Sequence, residues 1–389
     1  MERMQESPKT SAPERNIMRI DKHSGGITMH RIHRRSPALL AAALTACTTH
    51  ADAQDANGYT WATIDHAGNR ATNDDELPVT PGRRYGAVDY EFQMATTEVT
   101  VGQWFEFVQA YLPIDQANGN GTVNDGLTGS GINIRGIGVV EIREGYSPNR
   151  AADMSWEYAA RYVNWLHNGK VNEEWAFETG VYDTSTFTYN ADGSGNHQAT
   201  RSEGATYWIP SRDEWTKAAY YDPNRYGEGQ EGYWLYPNQS NTRSINNLLP
   251  EDGGEANVTR TDFDNWPLDV AQFDTTSYFG LFDLDGGVGE FTDTVFEGGL
   301  NNNTQRYYMS NYWIDPFDPN DPFAVFFDRI DYQSSIEMNQ AGNLWGLRLA
   351  RAVPSPAGSA VLAGGFIFLT RRKRVNHDIC KDTVSTGRP

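Results

Sequence analysis

Apolar residues recur along the chain at two periods, and each period predicts an element. YEFQMATTEVT (Tyr90–Thr100) reads as a strand that runs into a helix. Val101, Trp104, Phe105 and Val108 then fall at helical spacing and predict one buried face. Thr100 and Gln103 stand where a capping box satisfies the free N–H groups of a first turn. INIRGIGVVEIREG (Ile132–Gly145) alternates apolar and polar positions and predicts a hairpin or strand pair. SWEYAARYVNWLHNG predicts a helix with Ser155 as its cap, Trp156, Ala159, Ala160 and Val163 on one face, and Asn168-Gly169 as its end. SRDEWTKAAYYDPN repeats that logic, with Ser211 and Glu214 as a second capping box and Asp222-Pro223 as the stop. From Tyr233 to Leu349 only short strand-like runs and turns follow. Such a chain predicts an irregular α+β fold rather than alternating βαβ units, and no repeat of 20–50 residues is evident.

The ends carry a different pattern. Residues 1–28 are polar without an apolar period and read as an over-extended start. From Met29, three arginines, a short apolar run and Ala51-Asp52-Ala53 have the form of a secretory signal over 29–53. Leu44-Thr45-Ala46-Cys47 also has the form of a lipoprotein box, so lipidation of Cys47 competes with cleavage after Ala53. Both place the protein outside the cytoplasm. At the far end, a proline pair at Pro354 and Pro356, a short apolar stretch and four basic residues occupy 353–374, before a tail at 375–389. The apolar run is shorter than the roughly twenty residues a spanning helix takes, and its basic cluster would stay on the cytoplasmic side.

The whole chain has 32 basic and 51 acidic residues, and 14 of the basic but only 7 of the acidic ones lie outside 54–353. That span therefore carries 18 against 44, a net of −26. Such a charge repels phosphates and anionic lipid, which excludes nucleic acid as a partner. Both cysteines, Cys47 and Cys380, also lie outside it, so the domain has no disulfide, thiol nucleophile or cysteine metal site. About 300 residues bury a sizeable core without such staples.

Five segments, taken in order, resemble the sulfatase-modifying factor, or formylglycine-generating enzyme, family. They are TTEVTVGQWFEFVQA, DMSWEYAARYVNWL, YWIPSRDEWTKAAYYDP, YFGLFDLDGGVGEFTD and LWGLRLAR, which together span 89–352, after a lead-in at 54–88. The resemblance implies a single irregular domain of C-type-lectin-like fold. The segment at 353–374 resembles a PEP-CTERM sorting signal, with Ser355 where that signal usually has Glu, and implies an exosortase-like sorting protease as a partner.

The family's two oxidative chemistries lack their ligands here. Its copper members use a cysteine pair shortly before the closing motif, and FFDRIDYQSSIEMNQAGNLWGLR (Phe326–Arg348) has none. Thiolate is the soft ligand that Cu(I) takes, and serine, aspartate or tyrosine does not replace it. Its iron members use a histidine cluster, whereas residues 54–353 hold only His66, His167 and His197. His167 ends a predicted helix, where an imidazolium meets the helix dipole favourably. Neither copper nor iron is expected. No G-x-S-x-G elbow supports a serine nucleophile. Gly136-Ile137-Gly138 reads as a hairpin turn rather than a phosphate loop.

Calcium fits better. The resemblance implies one structural site on Asn257, Val258, Asp264 and Trp266, and hard oxygen ligands on an irregular loop are what calcium takes. A solvated acidic loop is the other reading of that stretch. The family's second site falls on Gly286-Gly287-Val288-Gly289-Glu290, where Gly287 has replaced an asparagine, leaving Glu290 to face a cation. GLFDLDGGVGEFTDT lacks the spacing of an EF-hand loop. WLYPN (Trp234–Asn238) and RYYMSNYW (Arg306–Trp313) are candidate surface aromatics for sugar stacking. The expectation is an exported, cell-surface or matrix-associated, non-catalytic module that binds an extracellular polysaccharide or matrix component. The alternative is a metal-dependent oxidoreductase that oxidises a cysteine in a sulfatase.

Overall fold

In a computed structural model of the protein, the described residues are 54–354, except 120–123, 137, 247, 259–267, 299–302, 312–327, 341 and 343. All lie in the unit His50–Pro389; the other unit, Met1–Thr49, is outside them. The signal-like segment and almost all of the sorting-like segment and tail also fall outside. None of the described helices is long and apolar enough to cross a membrane.

The expected fold class is the one found: a mixed α+β chain with few helices and several small sheets. The first sheet joins β1 (Trp61–Ile64), β2 (Phe92–Ala95), β12 (Ala350–Ala352) and β5 (Tyr207–Trp208), in that order. All its pairings are antiparallel, with Trp61 opposite Ala95 and Ala350 between Met94 and Trp208. The stretch read as a lead-in therefore supplies an edge strand, and the last described strand closes against the second. All four residues of β2 are buried, which fits a strand paired on both edges and covered on both faces. The second sheet runs β10 (Ser334–Glu337), β9 (Gln305–Met309), β8 (Gly289–Val295) and β11 (Trp345–Gly346). Two hairpins stand apart, β3 (Ile132–Arg135) with β4 (Val139–Ile142), and β6 (Tyr221–Asp222) with β7 (Gly232–Tyr233). The first is the hairpin the alternation predicts, and Gly136 and Gly138 take the positive φ its turn needs.

Helix α1 (Val101–Ala117) starts on the expected capping box: Thr100 Oγ1 accepts the Gln103 N–H, and Gln103 Oε1 accepts the Thr100 N–H. Its buried face is centred on Phe107, with Val101, Trp104, Val108, Tyr111 and Leu112, and Phe105 is only half-buried. The apolar stripe of α1 thus runs one step round from the expected line. The short helix α2 (Asp125–Thr128) leads to α3 (Trp156–His167), which is buried nearly all round and forms the centre of the core. Ser155 stands at its N-cap position with extended backbone, but its hydroxyl makes no cap bond; the expected side-chain cap is absent. After α4 (Glu174–Glu178), helix α5 (Arg212–Tyr220) begins on the second expected box, Ser211 with Glu214. It ends at Tyr220, where the chain enters β6 before Pro223 is reached.

The aromatic segments proposed for the surface lie mostly inside. Tyr307 and Tyr308 are buried in β9, Tyr236 is buried, and Trp234 is half-buried with the Arg225 guanidinium 3.5 Å from its ring centre. Successive side chains of β9 point to opposite faces, and both faces are covered, so the two rings have little contact with water. Tyr312 and Trp313 lie outside the described residues.

Candidate metal centre

The stretch Gly280–Thr294 turns sharply before it enters β8. Asp283, Gly286 and Gly287 have φ of 56°, 124° and 70°, a region that favours glycine. Both glycines are also needed for close approach. A Cβ on Gly286 would stand 2.6 Å from the Asn257 carbonyl, and one on Gly287 would collide with the Glu98 carboxylate. The turn is thereby bound to Asn257, whose carbonyl accepts the Gly287 N–H at 3.0 Å.

Asn257 itself is buried, with its Oδ1 accepting the Leu268 N–H at 3.1 Å and its Nδ2 donating to the Leu268 carbonyl at 3.4 Å. The amide thus clamps the two ends of the acidic loop. Val258 is fully buried and its N–H donates to the Ala256 carbonyl at 2.8 Å. Asp264 and Trp266 lie outside the described residues. Glu290 is brought elsewhere. Fully buried on β8, it accepts from Arg348 Nη2 at 2.6 Å, Arg348 Nε at 2.9 Å and Trp215 Nε1 at 2.7 Å. Its two oxygens hold a guanidinium and an indole where the sequence suggested a metal cation. Among the described residues, no three His, Cys, Asp or Glu side chains come together to hold a metal.

Arg348 is the hub of this region. Its Nη1 donates to the Ala95 carbonyl on β2 at 3.2 Å and its Nη2 to the Phe282 carbonyl at 2.8 Å. One side chain thereby ties the first sheet to the acidic turn and, through Glu290, to the second sheet. The charges do not balance. Glu98, fully buried, lies 3.7 Å from Arg348 Nη2, and neither of its oxygens completes a hydrogen bond among the described residues. Asp283 accepts the Ala271 N–H on Oδ2 and leaves Oδ1 without a described partner. Three buried carboxylates thus face one guanidinium. Burial, then the nearby Asp283 charge, pushes the Glu98 carboxyl well above the usual carboxylate range. Burial likewise lifts Asp283 to about 6. Further along β8, burial and the Glu214 charge raise Asp293 to about 7.

The described histidines are not gathered into a centre. His167 Nδ1 accepts the Thr206 N–H at 3.1 Å, and burial lowers its pKa. Its Nδ1 is thereby engaged by Thr206 at the end of α3. His197 is buried, its Nε2 2.9 Å from Glu157 and its ring stacked on Phe187. His66 is partly exposed and has different neighbours, Tyr221 and Tyr278. In the segment where the family's copper cysteines would fall, Asp328 and Asp331 pair with Arg243 and Arg329.

Two central residues escaped the sequence reading, although both stood in quoted motifs. Glu98 is the acid of TTEVT and Arg348 the base of LWGLR, and motif position was their only signal. Asn164 gave none. Inside α3, its Nδ2 donates to the Phe177 and Tyr182 carbonyls and its Oδ1 accepts from Val181 and Tyr182, all at 2.8–2.9 Å.

A search of curated proteins finds no match. Solved structures similar to this chain include CarF, at 17% identity over 77% of this chain and 100% of that one, with a TM-score of 0.42. Treponema denticola variable protein 1 is similar at 14% identity over 76% and 95%, with a TM-score of 0.44. PvdO from Pseudomonas aeruginosa is similar at 16% identity over 77% and 97%, with a TM-score of 0.42. The family comparison is decisive, because the sulfatase-modifying factor enzyme 1-like domain matches residues 66–353, most of the chain. With the five motifs in order and Glu290, Arg348 and the glycine turn joined at one centre, this protein belongs to the sulfatase-modifying factor enzyme 1-like domain family.

Proposed function

We propose that the protein is an exported, non-catalytic binding module that presents a sulfatase-modifying-factor scaffold to an extracellular polysaccharide, with calcium as a structural ion. The absence of any cysteine from Thr48 to Ile379, and hence from the whole matched domain, carries the non-catalytic part of this reading. A scaffold without the thiolates retains shape but not that copper chemistry.

A solvent-facing aromatic group supports the binding part. Tyr278 is 39% exposed and meets Phe279 edge-on at 5.2 Å, while Phe279 stacks on Tyr221 at 6.4 Å. His66 adjoins both tyrosines, and Asp65 lies 3.3 Å from it. An exposed tyrosine ring near a carboxylate offers an apolar face to sugar C–H groups and an acceptor to sugar hydroxyls. Trp175, 53% exposed on α4, is a second exposed ring. Affinity electrophoresis against a polysaccharide panel tests this reading. Retarded migration of the intact chain, lost in Tyr278→Ala, supports it. Turnover of a cysteine-containing peptide with copper and oxygen, without retardation, refutes it. For calcium, the Asn257 clamp closes the loop that holds Asp264, so Asn257→Ala should abolish any calcium-dependent rise in the unfolding midpoint that depends on that loop.

A further inference from the structure

The turn that follows β1 forms one side of the exposed aromatic group at Tyr278. His66 has a φ of 57° there, a left-handed conformation uncommon in a residue other than glycine. Lys217, on the buried face of α5, donates from Nζ to the His66 carbonyl at 3.0 Å and so keeps that carbonyl turned inward. The side chains of Asp65 and His66 stay outside, 51% and 41% exposed, beside the rings of Tyr221 and Tyr278. Backbone strain that the surroundings hold in place clusters at functional sites.

The charges at this group are sorted by depth. Lys217 is fully buried, and Asp65, Glu91 and Glu231 act on it through their charges. Arg70 spends Nη1 on Glu76 and the Ala71 carbonyl, and Nη2 on Glu76 and the Glu231 carbonyl. Glu231 in turn accepts from the Tyr221 hydroxyl at 2.8 Å. Both cations therefore compensate the carboxylates from within, whereas Asp65 and Glu91 are open to solvent. A sugar arriving at Tyr278 meets a ring and carboxylate acceptors, while Lys217 lies out of its reach and Arg70 is already engaged. The wider field has the same sign. Residues 54–353 carry 18 basic against 44 acidic residues, which repels uronic-acid and sulfated chains and draws in cationic ones.

We propose that the sugar recognised at Tyr278 is an amino sugar with a free ammonium group, an inference that rests on the polysaccharide reading above. The exposed Tyr278 ring takes the apolar face of one unit. Its ammonium is attracted to that ring face and to the Asp65 carboxylate, as a charged donor to an aromatic quadrupole and to an anionic acceptor. An N-acetylated unit has the same ring and lacks the charge, so the nitrogen is where selectivity is set.

The test titrates the intact chain at pH 6 with two tetrasaccharides that differ only at nitrogen, the glucosamine tetramer and its fully N-acetylated form. Sodium chloride at about 0.15 M screens the distant charges. By titration calorimetry the glucosamine tetramer should bind about fivefold more tightly, the worth of one exposed ion pair or cation–π contact. Asp65→Asn should bring the two dissociation constants together and leave that of the acetylated tetramer unchanged. Tyr278→Ala should weaken both about tenfold. Both side chains are exposed, so each variant should fold, with an unfolding midpoint close to that of the wild type. Equal binding of the two tetramers, lost in Tyr278→Ala, overturns this inference and leaves the polysaccharide reading standing. A preference for the glucosamine tetramer that persists in both variants also overturns it, because the attraction then belongs to the acidic domain as a whole. Binding of neither tetramer overturns it as well, and retardation in a gel of another polysaccharide would then still uphold the wider reading.

Discussion

Arg348 shows what a single residue does in this molecule. It is fully buried, and its donors reach Glu290, Ala95 and Phe282 across three segments. Removing one partner of a buried pair leaves the other charge without compensation, which costs about 3–5 kcal/mol. Arg348→Ala should therefore lower the unfolding free energy by that amount in denaturant titration. A change near zero would mean that Glu290 is neutral without its partner. Glu290 was a candidate in the sequence and Arg348 only a letter of a motif; their pairing was not legible, because residues 58 apart carry no local sign of contact. Asn164 was invisible for a related reason. An asparagine inside an apolar helix resembles any polar interruption, and only the loop at 177–182, folded back over it, shows four bonds.

Elements were the most legible level. Helices α1, α3 and α5 stand where periodicity and caps placed them, and the alternating stretch forms the β3–β4 hairpin. Local chemistry sufficed there, since capping and turn geometry depend on residues three or four apart. The failures arise where tertiary contacts decide. Phe107 replaces Phe105 at the centre of the α1 face because Tyr162, Trp165 and Phe177 converge on it, with ring centres 5.4–5.9 Å away. Arg306–Met309, taken for surface aromatics in the sequence, forms the middle strand of a pairing with β8 and β10. The two serine and threonine caps that look alike in sequence should also behave differently. Thr100→Ala removes half of a closed capping box and should cost about 1 kcal/mol. Ser155→Ala removes no cap bond and should cost distinctly less. Equal losses in parallel denaturant titrations would contradict this assignment.

At the scale of the whole molecule, the acidic composition reaches into the core. Burial raises Asp153 and Asp283 to about 6 and Asp293 to about 7, and holds Glu98 and Asp285 well above the ordinary range. In the unfolded chain these carboxyls release their protons near pH 4. Between there and neutrality the folded state therefore binds more protons than the unfolded one, so stability falls as pH rises. Without added metal cation, the unfolding midpoint should be higher at pH 5 than at pH 8, and Glu98→Gln should narrow the difference. A midpoint that climbs from pH 5 to pH 8 under those conditions would contradict the charge pattern described for the core. The polysaccharide binding proposed for this family member belongs to this scale. It is tested most directly by affinity electrophoresis of the intact chain and Tyr278→Ala through gels containing single polysaccharides. Retardation of the wild type in at least one gel, with free migration of the variant, is the predicted result. Free migration of both in every gel, together with copper-dependent oxidation of a cysteine-containing peptide, would contradict it.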